Sequence, residues 1–298
     1  LSLRRQRQMC IRDRSDLIAG LDQQQLDNFV DYVLSEDLGS GDVTSRVSVP
    51  ASARFSAVLA ARQPIVVAGL QLAAAFFGKL DPEVAIEFLV QDGDNVAAGQ
   101  PLMRIAGSAQ LMLAAERSAL NTLQHLTGIA TVTRSYAEAI AGTDCVLLDT
   151  RKTIPGLRAI EKYAAKVGGA RNHRMRLDDG ILIKDNHIAA AGSIVEAVKA
   201  AKAANTGLEV QVEVDGIEQI EPALMAGADR LLCDNMSPAK LKEAVALVGG
   251  RVPIEASGGV RLDTIREIAS TGVDFVSVGR ITQSAPAADI GLDYALSP

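Results

Sequence analysis

The chain divides into two stretches with different patterns of apolar and polar residues. Between residues 16 and about 115, short alternating runs are separated by turns rich in glycine and proline, which is typical of paired strands. The run ARFSAVLAARQPIVVAG predicts two such strands, with Pro64 at the turn between them. From Ala109 to about residue 141, apolar residues recur every three or four positions, which predicts one long helix.

A repeating unit begins at Cys145. Short apolar runs alternate with amphipathic stretches, which predicts parallel strands joined by right-handed crossovers through helices. Because each run is continuously apolar, both faces of the sheet are expected to be covered. The runs are CVLL, ILI, LEVQVEV, RLLC, VPIEA and DFVSV, and the helices are predicted at about 158–167, 192–204, 217–226, 238–248 and 261–270.

Polar residues or glycines follow each of these predicted strands. An open sheet would gather its chemistry near one switch point, whereas a closed (β/α) barrel presents chemistry at the carboxyl end of every strand. We therefore predict an α/β fold whose second part is a (β/α) barrel. Six units are clear rather than eight, so the barrel is expected to be incomplete, with six to seven strands.

The composition restricts the classes of protein to which the chain can belong. It has 298 residues, of which 48% are hydrophobic and 22% charged, as in an ordinary globular protein with room for two domains. A net charge of −6 and 3% aromatic residues argue against a nucleic-acid partner, and no apolar run is long enough to span a membrane. Three widely spaced cysteines form neither a zinc pattern nor a disulfide framework, which favours the cytoplasm.

Residues 1–15 are basic and aperiodic, so we expect a disordered or non-native tail, with an RNA-binding arm as the alternative.

Cations are concentrated between residues 149 and 187, where nine Lys or Arg residues accompany five acids. Arg158, Lys162 and Lys166 are four residues apart, which predicts one solvated stripe on a helix. Four other cations lie at or just before strand ends and would converge on the mouth of a barrel: Arg151, Lys152, Arg174 and Lys184. Two like charges about 7 Å apart repel by roughly 2.4 kcal/mol at an effective dielectric of about 20, so the cluster predicts a multiply charged anionic ligand.

Acidic and glycine-rich strand ends complete the predicted mouth. Glu213 and Asp234 would face a cationic transition state or a Mg²⁺ ion held with phosphates, unless Glu213 only forms a structural ion pair with Lys184. Backbone N–H groups suited to a phosphate are expected in the turns ASGGV and SVGRIT, at Ser257, Gly258, Gly259, Gly279 and Arg280. This combination suggests a polyanionic acid that reacts with a phosphorylated sugar.

Several segments, in order from about Glu36 to Thr282, resemble one family. The quinolinate phosphoribosyltransferase family has signature segments similar to SEDLGSGDVTS, ERSALNTLQHLTGIAT, DTRKTIPGLR, KYAAKVGGARNHR, LIKDNHI, VEVDG, CDNMSP and GVDFVSVGRIT. The resemblance implies transfer of a phosphoribosyl group from phosphoribosyl pyrophosphate to quinolinate, with loss of pyrophosphate and CO2. The product would be nicotinate mononucleotide, an intermediate of NAD biosynthesis. The resemblance also implies Mg²⁺ as cofactor and a homodimer with shared active sites. Whether dimers assemble into hexamers is left open.

Domains and site residues are implied by the same resemblance. An N-terminal α/β sandwich at 16–115 would precede the barrel at 116–298, with the option that the last residues pack back on the first domain. The substrate-binding side chains would be Thr150, Arg151, Lys152, His173, Arg174 and Lys184, with Arg117 arriving from the other subunit. The catalytic residues would be Lys152, Lys184, Glu213 and Asp234, and the last two would also lie near the metal. Ala170 departs from the family pattern, in which a third glycine is expected.

Three other functions fit parts of the sequence. Lys184 at a strand end would also suit an aldolase-type lyase that forms a Schiff base, although the nearby arginines and paired acids disfavour it. A related phosphoribosyltransferase could act on a ring acid without loss of CO2. A non-catalytic barrel that binds anions or RNA is disfavoured by the negative net charge.

Overall fold

The fold is known from a computed structural model that describes residues 22–296. Its contacts divide the chain into two compact units. Of the described residues, the first contains 22–131, Ala159–Gly168 and 285–296. The second contains Val132–Arg158 and Gly169–Ser284. The predicted tail at 1–15 lies outside the described residues.

This division differs from the predicted boundary at residues 115 and 116. The first unit keeps most of the long helix and also takes back two later segments. One reason is the last strand of the described chain, Ile290–Leu296, which pairs antiparallel with Arg54–Ala61. The last described strand therefore belongs to the sheet of the first unit, and the domain bounds drawn from the sequence stay a prediction.

An antiparallel sheet forms the centre of the first unit, in the strand order β12-β1-β5-β3. A separate two-stranded ladder joins β2 to β4. The helices are α1 (Gln23–Leu38), α2 (Val43–Ser48), α3 (Leu70–Leu80), α4 (Ala109–Ala139) and α5 (Arg158–Gly168), and the strands are β1 (Arg54–Ala61), β2 (Ile65–Val66), β3 (Ala85–Phe88), β4 (Asn95–Val96), β5 (Pro101–Ser108) and β12 (Ile290–Leu296).

The predicted hairpin at Pro64 is wrong. Strands do flank this proline, but β1 pairs with β5 and β12, whereas β2 pairs with β4. Alternating polarity identified the strands correctly. It could not identify their partners, because pairing depends on residues that are distant in the sequence.

A close backbone contact makes Gly128 in α4 sensitive to substitution. A Cβ atom at this position would lie 2.0 Å from the carbonyl oxygen of Pro286. We expect Gly128→Ala to lower the free energy of unfolding by about 1–3 kcal/mol, as overpacking does. Gly78→Ala in α3 is the matched control, because a Cβ there has nothing within 4 Å, and it should raise stability by about 0.5–1 kcal/mol. Thermal unfolding of both variants checks this, and equal stabilities would contradict it.

The second unit is built on a six-stranded parallel sheet in the order β6-β11-β10-β9-β8-β7. All six predicted strands are confirmed, because short continuous apolar runs bury both faces of a parallel sheet. The strands are β6 (Val146–Leu148), β7 (Ile181–Ile183), β8 (Val210–Val214), β9 (Arg230–Asp234), β10 (Ile254–Ser257) and β11 (Phe275–Ser277).

The sheet order is that of an incomplete barrel. The first strand of the unit, β6, lies beside the last, β11, as in a closed barrel. Within residues 22–296, no ladder joins β6 to β7. Only a one-residue parallel bridge from Leu148 to Arg171 extends the sheet on that side. The predicted fold class, with six to seven strands, is confirmed.

Serine side chains cap two of the helices that follow the strands of this unit. Ser193 and Ser237 cap two helices by accepting the backbone N–H of Glu196 and Lys240 at 3.2 and 3.4 Å. The helices of this unit are α6 (Asp185–Ala191), α7 (Ile194–Ala203), a 3₁₀ turn at Ile217–Gln219, α8 (Ile220–Met225), α9 (Pro238–Val248), α10 (Ile265–Ala269) and α11 (Arg280–Gln283). The sequence pattern missed α6 and α11. In the described part of the chain, no helix has the length and apolar character needed to cross a membrane.

The predicted solvated stripe on α5 is wrong at its centre. Lys162 is only 1% exposed, and the neighbouring Glu161 is completely buried. Glu161 Oε1 lies 2.8 Å from His125 Nε2, within hydrogen-bond distance, so His125 has a structural role beside α5. Spacing alone identified one face of the helix but not which face is packed inward.

Candidate active site

A buried aspartate organises the loop that follows β6. Asp149 is fully buried and accepts the backbone N–H of His173 at 2.7 Å and the side-chain amide of Asn172 at 2.5 Å. Two segments that are more than twenty residues apart are thereby joined beside the sheet. The residues after Asp149 and after Asn172 therefore reach the same cavity, which explains how separate cationic segments converge.

A cavity of about 610 Å³ lies at the carboxyl ends of the strands of the second unit. Its lining includes the four cations predicted to converge there and both predicted acids. The predicted residues in the lining are Thr150, Arg151, Lys152, His173, Arg174, Lys184, Glu213, Asp234, Ser257, Gly258, Gly259, Gly279 and Arg280. All predicted site residues except Arg117 are thus brought together.

Two cations of the cavity, Arg151 and Arg174, lie close enough for the charge of one to act on the other. Burial and the neighbouring charge of Arg151 lower the pKa of Arg174, against an opposing effect of Asp179. The Nε atom of Arg151 is buried and has no hydrogen-bond partner among the described residues. A buried donor without a partner and a pair of close cations both favour an anion at this wall.

The acids on the other side of the cavity differ in their partners. Lys184 Nζ forms an ion pair with Glu213 Oε2, and the Glu213 side chain is 11% exposed. Asp234 Oδ2 accepts a hydrogen bond from Asn235 Nδ2 at 2.6 Å. The structural pairing considered for Glu213 is therefore present, but it lies in the cavity itself, where it holds Lys184 in place.

Glycines shape the remaining side of the cavity. Gly258 has φ of +90°, and a Cβ atom there would lie 2.2 Å from Asn235 Oδ1. At Gly279 a Cβ would lie 2.7 Å from Lys152 Cδ. Side chains at these positions would collide with cavity residues, so only backbone lines the cavity at Gly258 and Gly279. Such a surface suits a phosphate.

Two family domains match the chain. The C-terminal domain of quinolinate phosphoribosyl transferase matches residues 129–293, and the N-terminal domain matches residues 42–127. The chain belongs to the quinolinate phosphoribosyltransferase family.

Individual members of the family are similar over nearly their whole length. Nicotinate-nucleotide pyrophosphorylase [carboxylating] from Mycobacterium leprae is 42% identical over 269 residues, which are 87% of this chain and 94% of the relative. A probable nicotinate-nucleotide pyrophosphorylase [carboxylating] from Bacillus subtilis is 39% identical and covers 92% of this chain and 94% of the relative. The solved structure of nicotinate-nucleotide pyrophosphorylase from Francisella tularensis superposes with a TM-score of 0.89 at 37% identity, covering 94% of this chain and 99% of that one.

Arg117 is the one predicted site residue outside the cavity. It is exposed on α4 in the first unit. Its neighbour Glu116 accepts a hydrogen bond from the hydroxyl of Tyr294 at 2.7 Å. His187 also has a local role, because its Nδ1 accepts the backbone N–H of Lys184 at 3.0 Å at the start of α6.

Sequence reasoning missed several residues of this family site. Asn235, Arg261, Gln283 and Glu255 also line the cavity. Glu255 stands in the apolar run VPIEA, as Glu213 does in LEVQVEV, so the same signal was available for both glutamates. Asn235 and Arg261 follow strand or turn ends and Gln283 ends α11, and their residue types alone did not distinguish them from surface residues.

Proposed function

We propose that the cavity of the second unit carries out the reaction of the quinolinate phosphoribosyltransferase family. A phosphoribosyl group passes from phosphoribosyl pyrophosphate to quinolinate, pyrophosphate and CO2 are released, and nicotinate mononucleotide is formed. The observation that supports this placement is that one cavity is lined by cations, by the acids Glu213 and Asp234 among others, and by glycines. Quinolinate carries two adjacent carboxylates, which Arg151, Arg174 and Lys184 would offset.

The transfer step requires stabilisation of positive charge on the ribose. The lone pair of the pyridine nitrogen forms the bond to carbon 1 while the carbon–oxygen bond breaks, and pyrophosphate leaves with that electron pair. Carbon 1 is oxocarbenium-like at the transition state, and the carboxylates of Glu213 and Asp234 would stabilise it. The backbone at Ser257, Gly258, Gly259 and Gly279, with Arg280 beside it, would hold the phosphates.

Decarboxylation follows from the charge that the first step creates. The alkylated ring nitrogen is cationic, so it stabilises the electron pair that remains on carbon 2 when the bond to CO2 breaks. A proton then adds to carbon 2. The side chains of Lys152 and Lys184 would hold the substrate while its second carboxylate departs.

Mg²⁺ is part of this proposal. Among residues 22–296, no group of three or more His, Cys, Asp or Glu side chains is arranged to hold a metal ion. Glu213 and Asp234 instead offer two carboxylates from the neighbouring strands β8 and β9 to one cavity. Mg²⁺ is ordinarily bound by one or two carboxylates together with substrate phosphates, so this set fits an ion that arrives with phosphoribosyl pyrophosphate. When bound, Mg²⁺ would neutralise the charge of the leaving pyrophosphate.

Chelation should therefore stop the reaction. Excess chelator is expected to abolish pyrophosphate release, and added Mg²⁺ should restore it, because the two carboxylates cannot neutralise a phosphate themselves. The control is the same chelator already saturated with Mg²⁺. Unchanged turnover in free chelator would refute the metal requirement.

The stoichiometry of the products tests the reaction itself. With quinolinate, phosphoribosyl pyrophosphate and Mg²⁺, one CO2 should be released for each pyrophosphate, and nicotinate mononucleotide should accumulate. A ratio near zero would indicate a related phosphoribosyltransferase without decarboxylation. Borohydride trapping of substrate on Lys184 would indicate the aldolase-type alternative.

Assembly and location complete the proposal. The enzyme would act in the cytoplasm as a homodimer in which Arg117 of one subunit completes the cavity of the other. The exposure of Arg117 and its absence from the cavity lining of its own chain support this arrangement.

A further inference from the structure

A cluster of buried polar side chains surrounds Glu255 on β10, next to the cavity. Glu255 is fully buried and lines the cavity. Its Oε2 atom accepts hydrogen bonds from Arg230 Nη2 at 2.7 Å and from Gln211 Nε2 at 2.8 Å, and His173 Nε2 lies 3.4 Å away. Burial would raise the pKa of Glu255, but His173, Arg230 and Gln211 outweigh it and keep the pKa below its usual range.

All three neighbours converge on the same oxygen of Glu255. The other oxygen, Oε1, is buried and has no hydrogen-bond partner among the described residues. A glutamine at this position could therefore place its amide oxygen where Oε2 lies and keep the three contacts without the negative charge.

Arg230 is fixed independently of the cavity. Its guanidinium carbon lies 3.9 Å from the centroid of the Phe275 ring, which is a cation–π contact, and its side chain is 13% exposed. Arg230 thus balances the charge of Glu255 and does not line the cavity.

The proton on His173 is located by its two partners. Nδ1 accepts the backbone N–H of Arg174 at 2.8 Å, so this nitrogen carries a lone pair. The ring proton is then on Nε2, which faces Glu255. The acceptor at Glu255 therefore selects the tautomer of His173 that can receive the N–H of Arg174.

We propose that Glu255 is a positioning residue for the binding of the pyridine dicarboxylate. Its Oε2 atom orients the ring of His173 in the Nε2–H tautomer, and His173 in turn holds the backbone of Arg174 so that its guanidinium stays in the cavity. This inference rests on the proposed function, in which Arg174 binds a carboxylate of quinolinate.

Two double variants separate the effect of the hydrogen-bond acceptor at residue 255 from the effect of its charge. Glu255→Gln with Arg230→Met keeps an oxygen for His173, whereas Glu255→Met with Arg230→Met removes it. Both remove the buried charge pair together, which avoids leaving one charge unpaired. We expect KM for quinolinate to be about tenfold higher in the methionine variant than in the glutamine variant. KM for phosphoribosyl pyrophosphate should differ by less than about threefold, because Arg174 does not line the phosphate side.

Equal KM values for quinolinate in the two folded variants would overturn the proposal, as would equal rises for both substrates. A measurement on the unaltered chain covers the case in which a variant does not fold. Nitrogen NMR of ¹⁵N-labelled histidine should show His173 protonated at Nε2 and unprotonated at Nδ1. A proton on Nδ1 would overturn the proposal. Since this spectrum needs no turnover, it distinguishes failure of this inference from failure of the proposed reaction.

Discussion

Lys184→Ala is expected to lower kcat/KM by about a hundredfold to a thousandfold, the range seen when one electrostatic contact to a transition state is removed. Lys184 is a cavity cation, and its loss also leaves the carboxylate of Glu213 without its ion-pair partner. Steady-state rates of pyrophosphate release, measured with both substrates saturating and limiting, check this.

A matched control is available in the same unit. Lys202 pairs with Asp229 at 2.8 Å, and its side chain is 41% exposed, close to the 44% of Lys184. Lys202 lies outside the cavity, so Lys202→Ala should change turnover by less than about twofold. Near-normal activity of Lys184→Ala would rule out the role assigned to it.

A preparation in which every chain carries Arg117→Ala should be inactive. It should regain activity when it is mixed with chains that carry an inactivating substitution in the cavity. If Arg117 enters the partner's cavity, mixing Arg117→Ala with Lys184→Ala gives heterodimers in which one of the two sites is intact. Random pairing of equal amounts should restore about a quarter of the wild-type turnover. Activity measured across mixing ratios checks the expectation.

The control mixture combines chains with two different substitutions that both affect the cavity of their own chain. Lys184→Ala mixed with Asp234→Ala should not recover under this arrangement, because both residues line the cavity of one chain. Absence of recovery with Arg117→Ala at every ratio would place the complete site within a single subunit.

The sequence predicted the barrel strands well because their signal is local. The strands of the second unit are short and mostly apolar, and polar residues lie at or near the carboxyl end of several of them. The cavity residues could be predicted for the same reason, since the carboxyl ends of parallel strands share one edge. Glu213 and Asp234 were found in this way.

Features that depend on distant partners could not be predicted in this way. The pairing of β1 with β12 joins residues more than two hundred positions apart, and no local pattern encodes it. Lys162 was placed in solvent because helical spacing does not tell which face is packed. The contact of Glu255 with His173 unites a strand and a loop, so it emerged only from the folded arrangement.

The pairing of β1 with β12 also has a consequence during synthesis on the ribosome. Ala61 pairs with Ile290, so one side of β1 stays unpaired until Ile290 has been translated. Nascent chains that stop before Ile290 would expose an unpaired strand edge, which invites aggregation. The residues of the second unit form two stretches that are translated before Ile290, so this unit can leave the ribosome before the sheet of the first unit is complete.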